Sequence, residues 1–96
     1  MSYFVVARWV VKIEHQDEIE TILKELVPQC RAEPGCQNFS AHQSIENPKE
    51  FLLYEHYFDE EGFKTHQETS HFKELVLRRA VPLLESRERV SYTLFI

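Results

Sequence analysis

The sequence predicts an α+β domain on a four-stranded antiparallel sheet, in the order strand, helix, strand, strand, helix pair, strand. Two observations lead to this order. Runs of β-branched and aromatic residues read as strands over Tyr3 to Val11, Cys36 to Ile45, Glu50 to Phe58 and Val90 to Ile96. Apolar residues at spacings of three and four follow Asp17 and return between Phe63 and Ala80, which is the helical period. Residues 1–96 hold no repeat, linker or low-complexity segment, so a single domain is expected.

The first strand is dense in Val, Phe and Trp, interrupted only by Arg8. From Asp17, a candidate N-cap, residues Ile19, Ile22, Leu23, Leu26 and Cys30 draw one apolar stripe. Pro28 is expected to bend or shorten the end of that helix. Glu33-Pro34-Gly35 supplies turn chemistry, with Gly35 available for the positive φ that helix exits commonly use. Asn47-Pro48-Lys49 separates the second and third strands as a hairpin. Asp59 is a candidate N-cap, with Glu60 and Glu61 at the positive end of the helix dipole. Thr69-Ser70 breaks this short helix, and Phe72, Leu75, Val76 and Ala80 mark another segment that ends before Pro82. The whole is the split βαββαβ, or ferredoxin-like, order.

Net charge is −5, and the nearest approach to a basic run, Arg87 to Arg89, is interrupted by Glu88. Nucleic acid is therefore not an expected partner. No stretch approaches the ~20 apolar residues of a membrane span, and the N-terminal apolar run lacks the pattern of a cleaved leader. No membrane partner and a cytoplasmic location are expected. Cys30 and Cys36, close in sequence and without a secretory signal, favour reduced thiols over a disulfide.

Both faces of the first and third strands are apolar. Tyr3, Val5, Ala7, Trp9 and Val11 oppose Phe4, Val6 and Val10, while Phe51, Leu53 and Tyr57 oppose Leu52, Tyr54 and Phe58. Two apolar faces mean two covered faces, yet the predicted helices cover one. A homodimer joined sheet to sheet is expected, with His56 toward that junction.

The stretches AEPGCQNFSAHQS and NPKEFLLYEHYFDEEGFKTHQETSHFKEL resemble the antibiotic biosynthesis monooxygenase (ABM) domain. The resemblance rests on Glu33-Pro34-Gly35-Cys36, Tyr54-Glu55, Asp59-Glu60-Glu61 with Phe63, and His66 with Ser70-His71-Phe72. It implies a dimeric α+β barrel. It also implies cofactor-independent monooxygenase activity on small quinol- or anthrone-like substrates, with molecular oxygen as co-substrate and no cofactor. The family further contains isomerases of a phosphorylated carbonyl signal, haem-degrading enzymes and members without known activity. Tyr57 stands where family members commonly carry a pocket Trp.

Glu55, in the middle of a strand, needs a partner or a cavity. It reads either as structural, paired with Arg8 or a backbone donor, or as a cavity carboxyl whose raised pKa suits proton transfer. His66 lies three residues after Phe63, so both share a helix face turned toward Glu55 and Tyr57, a composition suited to a small-molecule site. His66 is the candidate base, Glu55 its orienter, and Tyr57, Phe63 and Phe72 the walls. His71 is a rim candidate. Asn38 and His42 are either rim residues or the wet face of an edge strand. No metal-ligand spacing is present, so no metal is expected. The same residues would serve an isomerase of a small carbonyl compound, and the fold would also serve a non-catalytic ligand-binding dimer. Lys64, Lys73 and Arg78 leave a phosphorylated substrate open.

Overall fold

In the computed structural model, which describes all 96 residues, the strands are β1 (Tyr3–Val11), β2 (Cys36–Gln43), β3 (Glu50–Tyr57) and β4 (Leu84–Tyr92). The helices are α1 (Gln16–Arg31), α2 (Glu60–Glu68) and α3 (Phe72–Ala80). The sheet runs β2-β3-β1-β4, with every neighbouring pair antiparallel. This is the ferredoxin-like split expected from the sequence.

Register decides which residues meet the helices. Val5 lies opposite Glu55, Ala7 opposite Leu53 and Trp9 opposite Phe51, so the odd-numbered positions of β1 and β3 share one face. Phe39 of β2 joins them across from Glu55. Against this face α1 packs Ile19, Ile22, Leu23, Leu26, Val27 and Cys30, all buried. Burial of each large side chain stabilises the fold by about 1.5–3 kcal/mol. α3 is wound wide: the Val81 N–H reaches back five residues to the Val76 carbonyl. It buries Phe72, Leu75, Val76 and Ala80.

Five local expectations are corrected. The predicted fourth strand began at Val90, whereas β4 runs from Leu84 to Tyr92. Its polar stretch Glu85 to Arg89 hides the strand because β4 is an edge whose residues are nearly all exposed. Asp17 is not the cap of α1; the helix begins at Gln16 after a 3-10 turn at Ile13–His15, and no side chain caps it. Pro28 sits inside α1, which continues to Arg31. Gly35 has no positive φ, so its requirement lies elsewhere. Arg8 pairs with Glu50 and Glu88, not with Glu55, because even and odd positions face opposite ways.

The even-numbered face carries no helix. Leu52 is 39% exposed, Val90 49% and Tyr92 51%, and Phe4 and Tyr54 are half-buried beside them. His56 stacks on Phe4 at 4.2 Å between ring centroids. Both cysteines are free thiols. No helix is long and apolar enough to cross a membrane.

Candidate active site

Asp59 accepts a hydrogen bond from the Gly62 amide at 2.9 Å and caps α2 as the sequence predicts. The cap fixes the helix phase, and Phe63 and His66, one turn apart, turn inward and are buried. At Thr69 the backbone leaves the helical region and α2 ends. The Thr69 hydroxyl then accepts from the Phe72 amide at 3.2 Å while donating to the His66 carbonyl at 2.8 Å. This break, within the Thr69-Ser70 pair, brings His71 back toward His66.

Both imidazoles meet at Glu33, a residue not predicted for the site. The chain leaves α1 through Ala32, whose amide still bonds the Pro28 carbonyl, and returns through a Cys36 amide bonded to the Glu33 carbonyl. This turn directs the Glu33 carboxylate inward, where its side chain is 8% exposed. His66 Nδ1 lies 2.9 Å from Glu33 Oε2 and 3.1 Å from Oε1, and His71 Nε2 lies 2.5 Å from Oε2. Burial would push the Glu33 carboxyl up, but hydrogen bonds from His66 and His71, with their charge, hold it below the usual carboxylate range.

With Nδ1 engaged, His66 presents Nε2 to Glu55, 3.9 Å from Oε1. The same Glu55 oxygen accepts from the Tyr57 hydroxyl at 2.6 Å. Burial pushes Glu55 upward, against the Tyr57 hydrogen bond and the charges of His66 and Arg89. Burial, then the Glu55 charge, pushes the Tyr57 phenol up strongly, so it stays a donor. Glu33, not Glu55, orients the imidazole; Glu55 faces the nitrogen that remains.

A cavity of about 20 Å³ is bordered by Trp9, Phe39, Glu55, Phe63, His66 and Phe72, with Arg87 and Arg89 on the β4 side. That is room for about one water. The cavity lies between the sheet and the helices. Phe63 and Phe72 border it. Tyr57 packs behind, against Phe63 and His66 at 5.5 Å each, and does not border the cavity. His71 approaches Glu33 without touching the cavity, so it is not a rim residue. Asn38 and His42 pair with His56 and Leu52 on the opposite sheet face, which excludes them from the site.

Sequence reasoning missed Arg87 and Arg89 because the fourth strand was placed too late. Their alternation was the available signal, since period two puts both on one face. Glu33 stood in a quoted motif, but no spacing linked it to His66. Sequence spacing also concealed that Cys30, Glu33, His66 and His71 bring four donor atoms within 4.8 Å of one another. This set could ligate a zinc-like cation. For that, the imidazoles would have to give up their bonds to Glu33. The Cys30 thiol, pushed up by burial and by the Glu33 charge, would have to ionise.

The family profile "Antibiotic biosynthesis monooxygenase" matches residues 2–77. The chain belongs to the ABM family. Among ABM relatives, the Bacillus subtilis protein named "Putative monooxygenase YcnE" is 31% identical over 68 residues, 71% of this chain and 72% of its own length. A conserved protein from Methanosarcina mazei superposes with a TM-score of 0.90 at 29% identity, covering 96% of this chain and 91% of that one. PA3566 from Pseudomonas aeruginosa gives 0.92 at 25% identity, covering 99% and 95%. The ABM frame explains the shared architecture; the reaction must be read from the site.

Proposed function

We propose that this chain is a cofactor-independent monooxygenase of a small electron-rich aromatic substrate, of quinol or anthrone type. The observation that carries this reading is His66, 2% exposed, with one nitrogen held by Glu33 and the other facing Glu55, at the border of a cavity lined by aromatic rings. Membership of the ABM family and the likeness to YcnE support a monooxygenase over other chemistry. His66 Nε2 would take the proton of a substrate hydroxyl, and the Glu33 carboxylate would stabilise the resulting imidazolium. The substrate anion then passes electrons to O2. One oxygen atom enters the ring system, and the other leaves as water with two substrate protons. Glu55, whose proton affinity burial raises, can return a proton to the departing oxygen. The Phe63 and Phe72 walls keep water from the reactive anion. Oxygen uptake compared between wild type and His66→Ala tests this reading.

We infer further that the even-numbered sheet face is covered by a second copy of this chain. Two features support a self-association surface: the exposed Leu52, Val90 and Tyr92, and the His56 Nε2 atom, which is buried without a hydrogen-bond partner. A twofold axis over the sheet would present the same apolar patch from both sides.

A further inference from the structure

We propose that Arg87 and Arg89 form an anion-recognising wall, so that the substrate of this cavity carries a carboxylate or phosphate group beside its reactive ring. This rests on reading the His66 cavity as the active site, and it names the class of molecule the site selects. β4 pairs with β1 so that Arg87 lies opposite Trp9 and Arg89 opposite Ala7, which puts both guanidiniums on the helix side of the sheet. Both border the cavity with Glu55 and His66. The Arg89 guanidinium lies 5.2 Å from the centroid of the Phe63 ring.

The other four arginines are occupied. Arg8 binds Glu50 and Glu88, Arg78 binds Glu74, Arg79 lies 3.8 Å from Glu25, and Arg31 donates to the Phe39 carbonyl. Arg87 and Arg89 have neither an ion pair nor a hydrogen bond, although the chain carries sixteen acidic side chains against eleven basic ones. Two neighbouring cations left unpaired at a cavity repel each other and lose hydration. Accordingly, burial and then the Arg89 charge lower the proton affinity of Arg87. Glu55 borders the same cavity and its charge attracts both, but it accepts from Tyr57 and pairs directly with neither, so two cations face a single carboxylate. A ligand anion supplies the missing charge, and the planar guanidinium fork suits carboxylate and phosphate oxygens.

The arrangement also accounts for the small closed cavity. Arg89 stands over Phe63 in a cation–π contact on the β4 side of the cavity. A charge-assisted hydrogen bond to an incoming anion is stronger than a cation–π contact at an exposed site, so the anion would draw the guanidinium off the ring and open the wall. The anion would then be anchored at β4 while the ring enters between Phe63, Phe72 and His66. The predicted alternatives for a basic anchor, Lys64, Lys73 and Arg78, are not among the residues bordering the cavity.

The test measures binding rather than turnover. Under anaerobic conditions, calorimetric titration compares neutral hydroquinone, 2,5-dihydroxybenzoate and 4-hydroxyphenyl phosphate on wild type and on the Arg87→Gln/Arg89→Gln double variant. The indole N–H resonance of Trp9, the sole tryptophan, reports whether each probe reaches the cavity. One or both anions should bind wild type at least about tenfold more tightly than hydroquinone. Whichever anion does so identifies the recognised group. The advantage, taken as the ratio of anion to hydroquinone affinity within each protein, should shrink with added salt and vanish in the double variant. Equal affinity of anions and hydroquinone for wild type, or an advantage that survives the double variant, overturns the anion wall while leaving the cavity reading intact. If no probe moves the Trp9 resonance, the cavity reading falls and the wall falls with it. Both arginines keep part of their surface in solvent, and circular dichroism checks that the variant folds.

Discussion

Gly35 and Gly62, the two glycines of the chain, cross in direct contact. A Cβ on Gly35 would stand 2.8 Å from the Gly62 Cα, and one on Gly62 would stand 2.8 Å from the Gly35 carbonyl oxygen. The obstacles are backbone atoms that cannot swing aside. This crossing lets the turn carrying Glu33 lie against the first turn of α2, and so brings the Glu33 carboxylate within reach of His66.

Gly62→Ala separates two opposing effects. Helix propensity alone would stabilise α2 by about 0.8–1 kcal/mol. The clash with Gly35 should reverse the sign, for a net loss of about 1–3 kcal/mol measured from the urea midpoint. Gly35→Ala should lose a similar amount, and the double variant more than either. A more stable Gly62→Ala protein would contradict the crossing.

The sequence revealed this fold through period and punctuation, and concealed what depends on contact between distant segments. The stripe Ile19, Ile22, Leu23, Leu26, Cys30 identifies α1 because a helix repeats its inward face locally. The Asp59 cap is legible for the same reason. Gly35 is different: its local signature suggested a positive φ, whereas its role comes from a segment 27 residues later. Glu33 escaped notice because its partners, His66 and His71, lie more than thirty positions away. β4 was displaced because an edge strand without buried residues has no hydrophobic alternation to read.

The two buried carboxylates should leave opposite marks on stability against pH. Glu33 is held below its ordinary value of 4.5, so its contribution is complete above that pH and is lost as pH falls toward its lowered folded value. Glu55 is raised above 4.5, so its contribution is complete below that pH and is lost as pH rises through its folded value. Urea midpoints from about pH 3 to about pH 8 should show Glu33→Gln weakening the acid limb and Glu55→Gln flattening the decline above pH 4.5. Exchange of these two effects between the variants would invert the electrostatic description of the site.

Leu52→Asp tests the sheet face. At 39% exposure in the isolated chain, Leu52 is a surface residue, where a substitution normally changes stability by within about 0.5 kcal/mol. In a sheet-to-sheet dimer the same aspartate would be buried without a partner. Sedimentation at micromolar concentration should therefore show a wild-type dimer, and Leu52→Asp should run as monomer or unfold. A well-folded wild-type monomer would refute the second copy, as would an undisturbed Leu52→Asp dimer.

The reaction is decided by whether dissolved oxygen falls when substrate is added. For a cofactor-free oxygenase, an oxygen electrode should record uptake with an electron-rich hydroquinone or anthrone above the autoxidation rate. His66→Ala should lower the enzymatic rate by about 10² to 10⁴, the range for a lost general base. Glu33→Gln keeps the ring but removes the charge that stabilises its protonated form, so it should lose less and shift the pH–rate profile. A chelator should leave the rate unchanged, and protein prepared without added metal should hold well under one equivalent of it. Stoichiometric metal that disappears on Cys30→Ala would mean that Cys30, Glu33, His66 and His71 act as ligands, and the cofactor-free reading would end there. Equal uptake by wild type and a folded His66→Ala would remove His66 as the base. No uptake by either above the protein-free rate, across the substrate panel, would move the fold's use to isomerisation or to binding alone.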